Sequence, residues 1–447
     1  MTTPQQQALF QRDPTYDYPV LERGEGIYLY DTDGKRYVDG AAGASNIILG
    51  HGRTDIAQAM AAQAATLAYC FSAYFTSQPA LDLAARIAAL APGDLNNSYF
   101  VSGGSEAIET AIKIARQYHL QRGNQQKHQV IARWRSYHGA TLGALSLTGM
   151  PAMRKAFAPM LLDFPHIAPC NPYRCSFAGC EGQCNLKCAD ELEQAILQAG
   201  PENVSAFVAE PVVIAGIGCG VPPDDYFPRV RAICDKYDVL FIADEIITGF
   251  GRTGRYFAIE HWDAVPDMIV FGKGASSGYC PLGGVIMRDA IRAPFEAEGT
   301  FFAHIFTYVN NPVAMRVCME VLDIFARENI LAHTVEMGRY MERRARELYA
   351  HPSVGEVRCK GMIMAIELVR DKETKEPFPA ALGFGKHLNK VLLDRGLSTG
   401  LATGVADWVK GDDLRFHPPL IITRAQLDDV FAIIDAGLTE TENALMR

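Results

Sequence analysis

The sequence lacks any apolar run of about 18 residues, the length that a helix needs to cross a membrane, so no membrane-spanning helix is predicted. It also lacks a basic run, and its formal net charge is -9. Binding to nucleic-acid phosphates needs clustered Lys and Arg, so small-molecule chemistry is favoured instead. The first residues have neither the basic nor the apolar part of a secretory signal, and we therefore predict a cytoplasmic protein.

Internal repeats and low-complexity linkers are absent as well, and 447 residues are enough for two domains. We predict an N-terminal segment of short strands and turns (1–54), a large domain (55–311) and a small C-terminal domain (312–447). In the large domain, amphipathic helices alternate with short apolar strands, which predicts an α/β fold with a mostly parallel sheet covered on both faces. The small domain is predicted to be α+β, with one long helix from about Pro312 to Glu347.

Two consecutive carboxylates, Asp244 and Glu245, end an apolar strand that begins near Val239. A buried carboxylate needs a partner, and two interpretations are open: Asp244 caps the following loop, or it pairs with a cationic cofactor nitrogen. A pattern typical of dinucleotide-binding loops follows, from Gly249 to Gly254. No helix start comes after it, so a nicotinamide-dependent dehydrogenase is not favoured.

Lys273 follows the next apolar strand and has glycine on both sides. The ordinary interpretation is an exposed surface lysine. A lysine that forms a Schiff base needs instead a desolvated amine and a backbone that a flat cofactor can approach, and the flanking glycines allow that approach. Asp244 at the end of the preceding strand favours this second interpretation.

A series of motifs across most of the chain resembles the class III (ω-amino acid) aminotransferases of fold type I. The motifs are Gly50-His51-Gly52, Val101 to Ala107, Tyr137 to Gly139, Glu210-Pro211, Ala243 to Glu245 with Gly249 to Gly254, Gly272 to Gly274 with Pro281 to Gly283, Phe306 to Tyr308, and Arg415 before Pro418-Pro419. The resemblance implies a large domain with a mostly parallel seven-stranded sheet and a smaller α+β domain. It also implies pyridoxal 5'-phosphate, carried by Lys273 as a Schiff base, with Asp244 at its pyridine nitrogen.

The cofactor-binding residues that the resemblance implies are Gly103, Gly104, Ser105, Tyr137, His138, Glu210, Asp244, Ile246, Lys273 and Thr307. The first three would bind the phosphate with backbone amides at a helix N-terminus. Tyr137 and Ile246 would contact the two faces of the ring, while His138 and Glu210 would belong to the surrounding network. Thr307 would reach the phosphate of the other subunit, so a homodimer is expected and a tetramer stays open.

On the substrate side, the resemblance makes Arg415 the group that binds a substrate carboxylate. Ornithine and γ-aminobutyrate aminotransferases have a glutamate five positions after the one at Glu210, and it can pair with this arginine. Ala215 stands there in this chain. We therefore expect the side chain of Arg415 to have no carboxylate partner.

The resemblance then favours an amine or ω-amino acid donor and a 2-oxo acid acceptor, most consistent with pyruvate, in a ping-pong reaction. Three residues, Ser45, Phe71 and Tyr74, are expected near the amine pocket, which the N-terminal segment would cover. A decarboxylase, racemase or aminomutase with the same cofactor stays an alternative, as does 2-oxoglutarate as acceptor. The identity of the amine donor, the stereochemistry and the pathway are not encoded in the motifs.

Five of the eleven cysteines lie between Cys170 and Cys188. Cys175, Cys180, Cys184 and Cys188 have spacings within the loose range of a structural zinc site, but they lack the paired C-x-x-C that makes such a prediction specific. A local disulfide is the other alternative. We predict free thiols, because a cytoplasmic chain of this size keeps most cysteines reduced.

Overall fold

The computed structural model describes residues 8–180 and 184–446. Its strands are β1 (Leu21–Glu25), β2 (Tyr28–Asp31), β3 (Arg36–Asp39), β4 (Asn97–Val101), β5 (Gln129–Arg133), β6 (His166–Ile167), β7 (Val204–Ala209), β8 (Leu240–Asp244), β9 (Met268–Phe271), β10 (Gly283–Met287), β11 (Val354–Cys359), β12 (Met364–Asp371), β13 (Glu376–Pro377), β14 (Leu397–Ser398), β15 (Gly400–Thr403) and β16 (Asp412–Phe416). Helices of eight or more residues are Thr54–Thr66, Gln78–Ala88, Gly104–Gln121, Lys187–Ala199, Tyr226–Lys236, Asp289–Ala297, Pro312–Arg327, Ile330–Glu347, Phe384–Asp394 and Arg424–Leu445. Within the described ranges, every helix is too short or too polar to span a membrane.

A seven-stranded sheet forms the centre of the molecule, in the order β4-β10-β9-β8-β7-β5-β6. Strand β10 is antiparallel to both of its neighbours, and the other pairs are parallel. The predicted α/β fold with a mostly parallel seven-stranded sheet is thus confirmed. Because β4 and β9 both oppose β10, they run in the same direction, and the carboxyl ends of six strands meet at one edge.

Alternate residues of each central strand pack on opposite faces of this sheet. On β7, Ala206 and Val208 join the apolar cluster that includes the helix Gly104–Gln121, while Phe207 and Ala209 join the larger cluster on the other face. Both faces are therefore covered, which explains why these strands are continuously apolar in sequence. A strand that is buried on both faces holds its carboxyl end in a fixed position.

Two smaller sheets complete the fold. One has the order β1-β2-β3-β14, and the other has the order β11-β12-β16-β15. Strand β14, from the C-terminal part of the chain, runs parallel to β3 and pairs Leu397 with Val38. The N-terminal residues thereby share a sheet with residues far along the chain. The domain boundaries at residues 54 and 311 stay predictions.

The prediction of one long helix from Pro312 to Glu347 is wrong in one respect, because this stretch forms two helices. The first ends at Arg327 and the second begins at Ile330. Between them, Asn329 adopts a left-handed backbone with φ 53°. Asparagine tolerates this conformation better than most residues, so a single Asn interrupts a sequence that otherwise favours helix throughout.

Candidate active site

A cavity of about 150 Å³ lies where β5, β7, β8 and β9 end. Its lining includes eight of the ten predicted cofactor residues: Gly104, Ser105, Tyr137, His138, Glu210, Asp244, Ile246 and Lys273. Gly139, Ile247 and Thr248 line it as well and were not predicted. Gly139 and Ile247 directly follow predicted residues, and Thr248 follows Ile247, so the extended motifs could have indicated them. Parallel strands bring these distant segments together because their carboxyl ends share one edge.

Lys273 follows β9 and lies in the left-handed backbone region, with φ 41°. That conformation costs an L-residue about 1 to 2 kcal/mol, so the surrounding fold must impose it. Burial lowers the pKa of the Lys273 amine, while the negative charges of Asp244 and Glu210 oppose that change. A larger share of the amine is therefore neutral near pH 7 than for an ordinary lysine, as a nucleophile or base requires.

Asp244 ends β8, and its carboxylate is buried at the cavity. One oxygen, Oδ2, lies 2.7 Å from Nδ1 of His138, and Oδ1 accepts a hydrogen bond from the backbone N–H of Ile246 at 3.1 Å. The other ring nitrogen of His138, Nε2, is buried without a hydrogen-bond partner among the described residues. His138 therefore fixes the orientation of Asp244, and the carboxylate faces the cavity with lone pairs to spare.

Glu210 follows β7 and is also buried at the cavity. Its Oε1 accepts a hydrogen bond from the backbone N–H of Tyr137 at 3.1 Å. Burial, aided by the charge of Asp244, raises the pKa of Glu210, and the nearby His138 opposes this. Glu210 thus fixes the backbone of the segment that carries Tyr137 and His138.

The helix Gly104–Gln121 begins at the cavity, with Gly103 immediately before it. A Cβ on Gly104 would lie 2.8 Å from Cδ1 of Ile246, so a larger residue would have to displace the end of that side chain. Ser105 Oγ accepts a hydrogen bond from the backbone N–H of Ala140 at 3.0 Å. Unpaired N–H groups at a helix start, next to a surface without side chains, form a site for an anion such as phosphate.

Glu245, next to Asp244, is fully buried and accepts hydrogen bonds from the backbone N–H of Ile259 at 2.7 Å and from the Thr248 hydroxyl. Burial raises the pKa of Glu245 from 4.5 to about 7. Between these values the folded state binds more protons than the unfolded state, so the free energy of unfolding falls as pH rises.

The side chain of a Glu245→Gln variant cannot ionise at this position. Its free energy of unfolding should therefore not show this decline as pH rises. At about 1.4 kcal/mol for each pH unit between the two pKa values, its stability relative to the wild type should rise by about 2 to 3 kcal/mol from about pH 5 to about pH 8. Urea-induced unfolding at both pH values measures the difference. The exposed Glu298→Gln variant is the control and should follow the wild type; equal pH dependence in Glu245→Gln and wild type would contradict the prediction.

The remaining predicted site residues lie outside this cavity. Ser45 is buried, and its Oγ lies 3.2 Å from Nδ1 of His417. Phe71 and Tyr74 are exposed and contact each other, with ring centroids 5.5 Å apart. Thr307 is exposed in a turn. The roles of these four residues stay predictions.

Arg415 corrects one expectation from the sequence. Its Nε and Nη2 donate to the two carboxylate oxygens of Asp413, at 2.6 and 3.1 Å, and Asp413 is fully buried. The expectation that Arg415 has no carboxylate partner is therefore wrong. Asp413 and Arg415 lie two positions apart on β16, where alternate side chains share one face, and this spacing was the signal in the sequence.

His417, two positions further along the chain, was not predicted. Burial, together with the positive charges of Arg252 and Arg415, lowers the pKa of His417 to about 3, so the ring is neutral at physiological pH. The charge of Lys273 contributes in the same direction. Arg252, Arg415 and Lys273 thus all act as positive charges on His417, while Asp413 supplies a negative charge to Arg415.

The sequence model of the family described as aminotransferase class III matches residues 11–438. The chain is a class III aminotransferase. Putrescine–pyruvate aminotransferase of Pseudomonas aeruginosa is 37% identical over 432 residues, which cover 96% of this chain and 92% of that one. The nicotinamide-dependent alternative is wrong, because the residues from Gly249 form turns and lead into a short 3-10 helix at Ala258–His261.

Solved structures of transaminases resemble this aminotransferase over nearly its whole length. An (S)-enantioselective ω-transaminase from Thermomicrobium roseum has a TM-score of 0.88 and 38% identity, covering 97% of this chain and 96% of that one. An ω-transaminase from Pseudomonas jessenii, solved with PMP, has a TM-score of 0.91 and 32% identity, covering 100% and 99%. The predicted fold type and the aminotransferase activity are thereby confirmed.

Class III aminotransferases depend on pyridoxal 5'-phosphate, and the cavity of this aminotransferase fits that cofactor. When bound, the cofactor supplies an electron sink for the charge left when a substrate carbon loses its proton. Lys273 offers the amine, Asp244 offers a buried carboxylate for a protonated ring nitrogen, and the helix start after Gly103 offers N–H groups to the phosphate. These three groups come from three different strand ends around one cavity.

Proposed function

We propose that this aminotransferase transfers the amino group of an ω-amino acid or amine to pyruvate in a ping-pong reaction. The observation that carries the proposal is Arg415, whose guanidinium is fixed by two hydrogen bonds to the buried Asp413. A fixed, planar guanidinium suits the carboxylate of a 2-oxo acid. Ala215 in place of a second glutamate, and the similarity to a putrescine–pyruvate aminotransferase, support pyruvate over 2-oxoglutarate.

In this proposal, Lys273 holds the cofactor between turnovers and, once freed by the incoming amine, takes the proton from the substrate carbon that bears the amino group. Asp244, oriented by His138, keeps the ring nitrogen protonated. Tyr137 and Ile246 would contact the ring of the bound cofactor, and Gly103, Gly104 and Ser105 would bind its phosphate. The lining of the cavity and the contact between Asp244 and His138 support these roles.

We also propose a homodimer in which Thr307 reaches the partner's phosphate site. A group of large side chains on two segments is exposed in the single chain: Tyr69, Phe71, Tyr74, Phe75, Phe301 and Tyr308. Tyr69 and Tyr308 contact each other across these segments, with ring centroids 6.2 Å apart. An exposed apolar patch of this kind is typical of a protein interface, and it lies beside Thr307 in sequence.

The acceptor side of the proposal is tested by replacing Arg415 with glutamine. The loss of a charge-assisted hydrogen bond costs about 1.5 to 3 kcal/mol, so KM for pyruvate should rise roughly 10- to 150-fold, while KM for a diamine without a carboxylate should stay unchanged. Steady-state kinetics with pyruvate and putrescine measure both values. Arg415→Lys keeps the charge but loses the planar fork, and should fall between wild type and Arg415→Gln.

A double variant, Asp413→Asn with Arg415→Gln, controls for the carboxylate that the single change leaves unpaired. It should show the same rise in KM with better stability, because no unpaired buried charge remains. Equal changes in KM for pyruvate and putrescine would contradict the role of Arg415. Independently, enzyme loaded with pyridoxamine 5'-phosphate should aminate pyruvate in a single turnover; amination of 2-oxoglutarate alone would contradict the proposed acceptor.

A further inference from the structure

The five cysteines between Cys170 and Cys188 converge around one cavity. The segment connects β6 to the helix Lys187–Ala199, and Cys188 is the second residue of that helix. The sulfur atoms of Cys170, Cys184 and Cys188 all lie within 4.8 Å of one another, and Cys170 and Cys188 are buried. Cys175 and Cys180 line the same cavity of about 290 Å³. The trio includes Cys170, which the sequence-based zinc set had left out.

A single disulfide would join only two of these three sulfurs and leave the third as a thiol beside the bond, whereas one metal ion can bind all three. A tetrahedral zinc ion with Zn–S distances of about 2.3 Å separates its sulfurs by about 3.8 Å, which three mutually close sulfurs can satisfy. Thiolate sulfur is also the ligand type that zinc prefers in structural sites.

We propose that this segment binds one structural zinc ion through Cys170, Cys184 and Cys188, with either Cys175 or Cys180 as the fourth ligand. Four protein ligands close the coordination sphere, so the ion has a structural role and leaves no position for substrate. The prediction of free thiols is replaced by this proposal.

The cysteine segment contacts the small sheet behind Arg415 through Arg174. A zinc ion that orders the segment would also stabilise this contact. Arg174 pairs with the buried Glu367 of β12, and Arg358 pairs with the same carboxylate at 2.7 Å. Glu367 lies opposite Asp413, which holds Arg415, in the β12–β16 register. A fixed cysteine segment therefore fixes Arg174 and, through Glu367, the charged network behind the substrate arginine.

The first test measures metals in the untagged, full-length wild-type protein after gel filtration without chelator. Inductively coupled plasma mass spectrometry is expected to give about one zinc per chain and no stoichiometric iron, since a structural tetrathiolate site binds tightly enough to survive purification. Modification of the thiols by a mercurial should release that zinc to a chromogenic chelator. Absence of zinc, or iron in its place, would overturn the proposal.

Variants then test the ligand set. Cys188→Ser is expected to reduce zinc below about 0.2 per chain and to lower the melting temperature, whereas Cys70→Ser, outside the cluster, should keep both at wild-type values. One of Cys175→Ser and Cys180→Ser should lose zinc and identify the fourth ligand. Retention of zinc by both, or by Cys188→Ser, would refute the tetrathiolate site. If Cys188→Ser fails to fold, the metal content and mercurial release of the wild type still decide the proposal.

Discussion

Replacing Lys273 by alanine is expected to lower kcat about ten-thousandfold or more, because proton transfer by a positioned base alone contributes up to roughly that factor and the covalent hold on the cofactor is lost as well. The partly desolvated amine at the end of β9 is the group that both functions require. Stopped assays of ketone or aldehyde formation from the amine donor measure kcat. Borohydride reduction followed by peptide mapping should find the cofactor attached to Lys273 in the wild type and to no peptide in the variant.

The matched control is Lys236→Ala, which removes an exposed lysine paired with Glu193 at 2.6 Å. It should keep wild-type kcat and the attached cofactor. Binding of pyridoxal 5'-phosphate to Lys273→Ala should persist without the covalent bond, because the phosphate and ring contacts are untouched. Near-normal transamination by Lys273→Ala would remove the basis of the assigned site.

Replacing Asp244 by asparagine is expected to lower kcat by at least about a hundredfold, the scale on which loss of one buried electrostatic contact to a transition state acts. The change is isosteric but removes the charge that favours a protonated ring nitrogen. KM for pyruvate should change little, because Arg415 is untouched. Glu245→Gln is the control: it removes a buried carboxylate at the next position, outside the cavity lining, and should keep kcat within a fewfold of wild type.

A second measurement separates loss of charge from a structural defect. Asp244→Ala leaves room for a cofactor analogue that is methylated on the ring nitrogen and so carries a permanent positive charge. This analogue should restore part of the lost activity in Asp244→Ala and none in Lys273→Ala. An Asp244→Asn enzyme as fast as Glu245→Gln would show that the carboxylate does not act on the cofactor.

Most of the site was predictable because it depends on local patterns at strand ends. The apolar strands before Asp244 and Lys273 and the glycines before the helix at Gly104 each have a local physical reason. The fold then brings them together by a general rule of parallel sheets. The left-handed backbone of Lys273 was not predictable, because the glycines on both sides explain a close approach to the backbone and carry no signal about the conformation of the lysine itself.

Contacts between distant or opposing groups were harder to predict. Asp413 was missed because the expectation concerned a glutamate after Glu210, although the period of two along β16 carries the needed information. The break at Asn329 was missed because one residue in a helix-favouring stretch is a weak signal. The closeness of Cys170 to Cys184 and Cys188 depends on how a loop folds back on a helix, which linear spacing does not contain.

The pairing of Arg415 with Asp413 has a consequence for how this enzyme can diverge. Arg415 and its carboxylate partner Asp413 lie within three consecutive residues of β16, so one strand supplies both the charge and its counter-charge. The loop after Glu210 is then released from supplying a carboxylate, and Gly218 can pack directly against Asp413, where any Cβ would lie 2.5 Å from its Oδ2. A change at Ala215 therefore leaves the charge of Arg415 compensated by Asp413, whereas Gly218 stays constrained by its contact with Asp413.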